Sequence, residues 1–149
     1  MKIDFNNLYI HFIFITAGRV PMITEGSRDR IEKYMTGIVA KHHSKVYSIY
    51  ANPEHVHFLA SKSPKISEEM LATTVADGTQ RFINNNRLVT GNFSWQDSCA
   101  AFSVSKTDVD NVCKYILNQP EHHRRVTFGE EYDNMMKFYL KSNRWEVDL

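Results

Sequence analysis

Two apolar runs broken by Asn52-Pro53 constrain this chain more than any other feature. Lys45-Val46-Tyr47-Ser48-Ile49-Tyr50 and Glu54-His55-Val56-His57-Phe58-Leu59-Ala60-Ser61 are rich in β-branched and aromatic residues and lie only a few residues apart, which predicts an antiparallel hairpin. Strand side chains alternate faces, so His55 and His57 share one face about 7 Å apart, while Val56 and Phe58 enter the opposite layer. Two imidazoles on one face can share a metal ion. They can equally be polar residues on the solvated side of a half-buried strand.

The remaining chain supplies partners for that hairpin. Asp4 to Thr16 reads as a long first strand with His11 among Tyr, Ile and Phe residues. After a loop with Gly18, Pro21 and Gly26, Ser27 can cap a helix whose stripe is Ile31, Tyr34, Met35, Ile38 and Val39. Ser67 caps a second helix, with Glu68 and Glu69 in its first turn and Asp77-Gly78 as a weak interruption. Cys99 to Val104 is a short strand. A helix from Asp108 to Gln119 follows, opened by Thr107-x-x-Asp110, and Thr127-x-x-Glu130 opens a last one. The order β-α-β-β-α-β is the split βαβ, ferredoxin-like α+β arrangement: an antiparallel sheet, helices on one face, and a helical C-terminal extension.

At 149 residues and 42% hydrophobic content, a single domain spanning residues 1–149 is expected. No apolar run reaches transmembrane length and no signal-peptide pattern is present, so a cytoplasmic protein is expected. A net charge of +1 gives no bulk case for nucleic-acid binding, which must rest on local clusters. Cys99 and Cys113 form no Cys-x-x-Cys pattern and read as buried thiols. The pairs His42-His43 and His122-His123 read as solvated helix ends, because adjacent residues do not share a helix face.

Tyr115 and Gln119 are four apart in the expected late helix, which stacks them on one face about 6 Å apart. A phenol with a reference pKa of about 10 needs a cation or base nearby to act as a nucleophile. By itself the pair also fits an ordinary exposed helix face. The combination of His55-Val56-His57 on a strand with Lys114-Tyr115-Ile116-x-Asn118-Gln119 on a late helix is more specific. It resembles the single-tyrosine, His-hydrophobic-His transposases of the insertion-sequence-200-like class and their repeat-associated relatives. The likeness extends over Tyr9 to Phe14, Pro53 to Leu59, Phe93-x-Trp95-Gln96, Ala101 to Ser105, and Tyr115 through Glu121-His122-His123.

The resemblance implies that His55, His57 and Gln119 bind Mg²⁺ or Mn²⁺ and that Tyr115 is the nucleophile, leaving DNA as a 5′-phosphotyrosine. It also implies a homodimer acting on single-stranded DNA folded into hairpins, and the lack of an apolar run of transmembrane length leads us to expect no membrane partner. Arg19, Lys62, Lys65, Arg81, Arg87, Lys106 and Lys114 are the candidate phosphate contacts, and Phe93 or Trp95 the candidate stacking platforms. The chain departs from its relatives at Ala76-Asp77-Gly78-Thr79-Gln80 and at Ser98-Cys99. Those departures keep open a second reading, a decayed or domesticated relative that binds DNA hairpins without catalysis.

Overall fold

Alternation along four strands sets the architecture. A computed structural model of the protein describes residues 1–142. Strands β1 (Tyr9–Ile15), β2 (Lys45–Ala51), β3 (His55–Ser61) and β4 (Ala100–Val104) form one sheet in the order β2-β3-β1-β4, antiparallel throughout. Helix α1 (Glu25–Lys41) connects β1 to β2, and α2 (Glu68–Asn85) connects β3 to β4, as the ferredoxin-like order requires. Helices α3 (Val109–Leu117), α4 (Gln119–His122) and α5 (Phe128–Ser142) follow. The chain divides into two compact units, Met1–Leu117 and Asn118–Leu149.

In the first unit, alternate residues of the central strands build the core. Phe12, Phe14, Val56 and Phe58 meet Ile31, Met35 and Val39 of α1 and Leu71, Val75 and Ile83 of α2. Each such burial contributes about 1.5–3 kcal/mol. Phe12 stacks on Phe58 with ring centroids 4.8 Å apart. Phe93 and Trp95 belong to the same core, and the indole N–H donates to the Ala76 carbonyl at 3.1 Å. They are therefore structural residues and not stacking platforms.

Local chemistry corrects several expectations. Helix α1 starts before Ser27: Thr24 is the cap, its hydroxyl accepting from the Ser27 N–H at 3.2 Å, while Ser27 Oγ accepts from the Thr24 N–H at 3.1 Å. This is a reciprocal capping box. Ser67 does cap α2, accepting from the Met70 N–H at 3.0 Å. That helix passes through Asp77-Gly78 without a break. Gly78 lets α1 approach closely, since a Cβ there would lie 2.8 Å from Ile38 Cδ1.

Helix α3 lies over the other face of the sheet, where Ile116 packs with Leu59 and Val104. It ends at Leu117 and does not run on to Gln119. Asn118 leaves the helical region at φ −91°, ψ 14°, and Pro120 has no N–H to continue the ladder. Tyr115 and Gln119 thus do not share one continuous helix. The cysteines also differ from expectation: Cys99 is exposed in the loop before β4 and Cys113 is half-buried, its thiol pushed up by partial burial and by Asp110. Among the described residues, no helix is long and apolar enough to cross a membrane.

Candidate active site

The turn between β2 and β3 is held from below by the end of β1 and the loop after it. Met22 and Ile23 N–H groups donate to the Pro53 carbonyl at 2.9 and 3.0 Å. The Thr16 N–H donates to the Glu54 carbonyl at 2.9 Å, and its hydroxyl donates to the Val20 carbonyl at 2.7 Å with the Glu54 carbonyl at 3.1 Å beside it. The start of β3, and with it His55, is thereby fixed.

His55 and His57 are fully buried, which rules out the solvated-strand reading. Their rings lie 5.0 Å apart at 79°. His55 Nδ1 is 2.6 Å from Glu54 Oε1. A carboxylate only accepts, so Nδ1 carries the proton and, in the neutral ring, Nε2 keeps its lone pair. The Asn52 amide nitrogen lies 3.1 Å from that Nε2. His57 Nδ1 is 2.9 Å from His11 Nε2, and His11 is itself buried on β1. Tyr115 stands edge-on to this cluster, its ring centroid 5.7 Å from His57 at 90° and 6.4 Å from His11 at 71°.

The first unit therefore brings together His55, His57 and Tyr115, as expected, and adds His11, Glu54 and Asn52. Two buried imidazoles, each with its Nδ1 met by a neighbouring side chain, are a donor set that suits a divalent ion such as Mn²⁺. An ion at His55 Nε2 would take the place of the Asn52 amide.

Gln119 belongs to the second unit and is fully buried. Its amide oxygen lies 2.9 Å from His123 Nε2, and His123 Nδ1 lies 3.0 Å from the Val126 carbonyl. The buried Glu131 carboxylate is 2.7 Å from His122 Nε2 and 3.4 Å from His123 Nε2. His122 and His123 are thus not a solvated helix end. The short α4 ends between them, which lets both rings reach one carboxylate. The other pair follows expectation: His42 terminates α1, and the exposed His43 turns to φ 55°.

Of the candidate phosphate contacts, Arg19, Lys65, Arg81, Arg87, Lys106 and Lys114 are exposed. Lys62 is not, at 8% exposure. Its ammonium donates to the Ser63 carbonyl at 2.9 Å and the Ile66 carbonyl at 2.6 Å, with Glu68 at 3.7 Å. Lys62 closes the loop into α2 with its ammonium engaged by these carbonyls. On the helix side of the sheet, a cleft of about 510 Å³ runs between α2 and the loop before β4. Its lining includes Glu68, Glu69 and Asp97, a charge pattern that repels a phosphate backbone.

A family model described as "Transposase IS200 like" matches residues 4–119. No curated protein matches the chain. Among solved structures, a candidate transposase from Deinococcus radiodurans R1 is 16% identical with a TM-score of 0.61, covering 80% of this chain and 96% of its own. A REP-associated tyrosine transposase bound to a REP hairpin is 12% identical with a TM-score of 0.61, covering 85% of this chain and 76% of its own. At these identities the two structures establish a shared fold.

Proposed function

The chain belongs to the family of IS200-like transposases, and on that premise we propose that it cleaves and rejoins single-stranded DNA through Tyr115. The observation that carries the reading is the packing of the Tyr115 ring against His57 and His11 beside the His55–His57 pair. The phenol oxygen attacks a backbone phosphorus and displaces the 3′ oxygen, which leaves as a 3′ hydroxyl. The DNA remains joined to the enzyme as a 5′-phosphotyrosine. A 3′ hydroxyl attacking that ester restores the phosphodiester and frees Tyr115, so the bond energy is conserved and no nucleotide cofactor is needed.

Mg²⁺ or Mn²⁺, held by His55 and His57, would neutralise charge at the attacked phosphate. Gln119 enters the ligand set from the sequence resemblance alone, as does the homodimer. The substrate is a single strand bearing a hairpin, a reading supported by the hairpin carried by one of the structural neighbours. Exposed Arg19, Arg81, Arg87, Lys106 and Lys114 are the proposed phosphate contacts.

Denaturing electrophoresis of the protein with labelled hairpin-bearing single strands in Mn²⁺ tests this. A slowly migrating adduct is expected with the wild type and absent with Tyr115→Phe. An adduct that persists in Tyr115→Phe would remove Tyr115 from its role. The second reading, hairpin binding without chemistry, is motivated by the exposed Asp77, whose negative charge opposes a contact with a phosphate. It predicts hairpin binding that survives chelation and no adduct in any metal.

A further inference from the structure

We infer that His11 is a positioning residue for the metal site, holding His57 so that its Nε2 is the nitrogen offered to the ion. The inference rests on the proposed reading of His57 as a ligand and adds a residue to it.

His11 sits on β1, the strand flanked by both β3 and β4. It pairs directly with Leu59 on one side and Phe102 on the other, so its backbone is held by two ladders. His57 pairs with Ile13, two residues along β1, which places His11 on the diagonal from His57. Diagonal neighbours on one sheet face are within reach only of long or aromatic side chains. Here the reach is completed by a 2.9 Å contact between His11 Nε2 and His57 Nδ1, and the two residues are 2% and 0% exposed.

In that contact one nitrogen donates and the other accepts. If His57 ligates through Nε2, that nitrogen holds a lone pair, so the neutral ring carries its proton on Nδ1. His11 must then accept at Nε2 and carry its own proton on Nδ1. Ligand histidines are characteristically fixed this way through the nitrogen that does not bind the metal. His55 has the same arrangement through a different partner, Glu54. The two ligands are therefore oriented by one residue from the preceding turn and one from the neighbouring strand. The Tyr115 ring packs edge-on to both His11 and His57, so the residue that orients the ligand also borders the nucleophile.

The test is Mn²⁺ binding by calorimetry to the wild type, His11→Phe and His11→Gln, with thermal melts of each. Phe keeps a ring and removes the acceptor. Gln places an amide oxygen at about the reach of imidazole Nε2. The expected result is a Mn²⁺ affinity about 10–100-fold weaker in His11→Phe, with most of the loss recovered in His11→Gln. A merely structural role would move the melting temperature without this acceptor-dependent recovery. If His11→Phe does not fold, His11→Met is the matched variant without an acceptor at that reach. Equal affinity in the wild type and the folded Phe or Met variant overturns the role of His11 alone. A wild type that takes up no Mn²⁺ overturns it together with the reading of His57 as a ligand.

Discussion

The two faces of the sheet are made by the same strands and serve opposite ends. On one face Phe12, Phe14, Val56 and Phe58 lie in an apolar core under α1 and α2. On the other, His11, His55 and His57 are buried with nitrogen-bearing rings in mutual contact and Tyr115 beside them. A shift of one residue along β3 separates Phe58, a packing residue, from His57, a polar residue that burial obliges to keep a partner. The lesson is that buried polarity arranged on one face of a strand, and not histidine content as such, separates the candidate site from the core.

The comparison can be sharpened by substituting neighbours on opposite faces. Phe58→Ala should cost about 3–5 kcal/mol in urea denaturation, the usual price of emptying an aromatic site in a packed core. A cost under about 1 kcal/mol would mean that the helix side is not the structural face. His57→Ala should cost less, about 1–3 kcal/mol for the partner left unsatisfied, yet abolish Mn²⁺ uptake by calorimetry. Should Phe58→Ala, folded at low temperature, lose Mn²⁺ as completely as His57→Ala, the division between faces would fail.

Smaller effects probe the margins. Lys62→Met should lower stability by about 1–3 kcal/mol, because the buried Ser63 carbonyl and the half-buried Ile66 carbonyl lose the ammonium donor. Hairpin affinity measured at a temperature where the variant is folded should hardly change. A salt-dependent loss of DNA affinity would return Lys62 to the list of phosphate contacts. Gly78→Ala should fall within about 1 kcal/mol of the wild type, since the gain in helix propensity opposes a contact that the flexible end of Ile38 can relieve. A larger loss in a melting experiment would show that α1 and α2 cannot separate even slightly.

Much of this organisation was legible in the residues. The hairpin, the element order and the shared face of His55 and His57 follow from alternation and turn chemistry, which are local. His11 was visible on the first strand, but its contact with His57 depends on strand register, which a single strand does not encode. The break at Asn118 is not legible in the apolar spacing of Val109, Val112, Cys113 and Ile116, which gives no sign of where a helix stops. Pro120 was the available signal, and it places the end earlier than Gln119. The charge of Lys62 points to solvent, while the loop carbonyls of Ser63 and Ile66 draw it inward. The engagement of His122 and His123 with Glu131 joins residues eight or more apart across a turn, beyond the reach of spacing rules.

Crystals grown with Mn²⁺ and measured at the manganese absorption edge would test the central claim most directly. The account predicts an anomalous peak within bonding distance of both His55 and His57, on the Tyr115 side of the sheet. A peak elsewhere, or none at that pair in a protein that forms the DNA adduct in Mn²⁺, would contradict it.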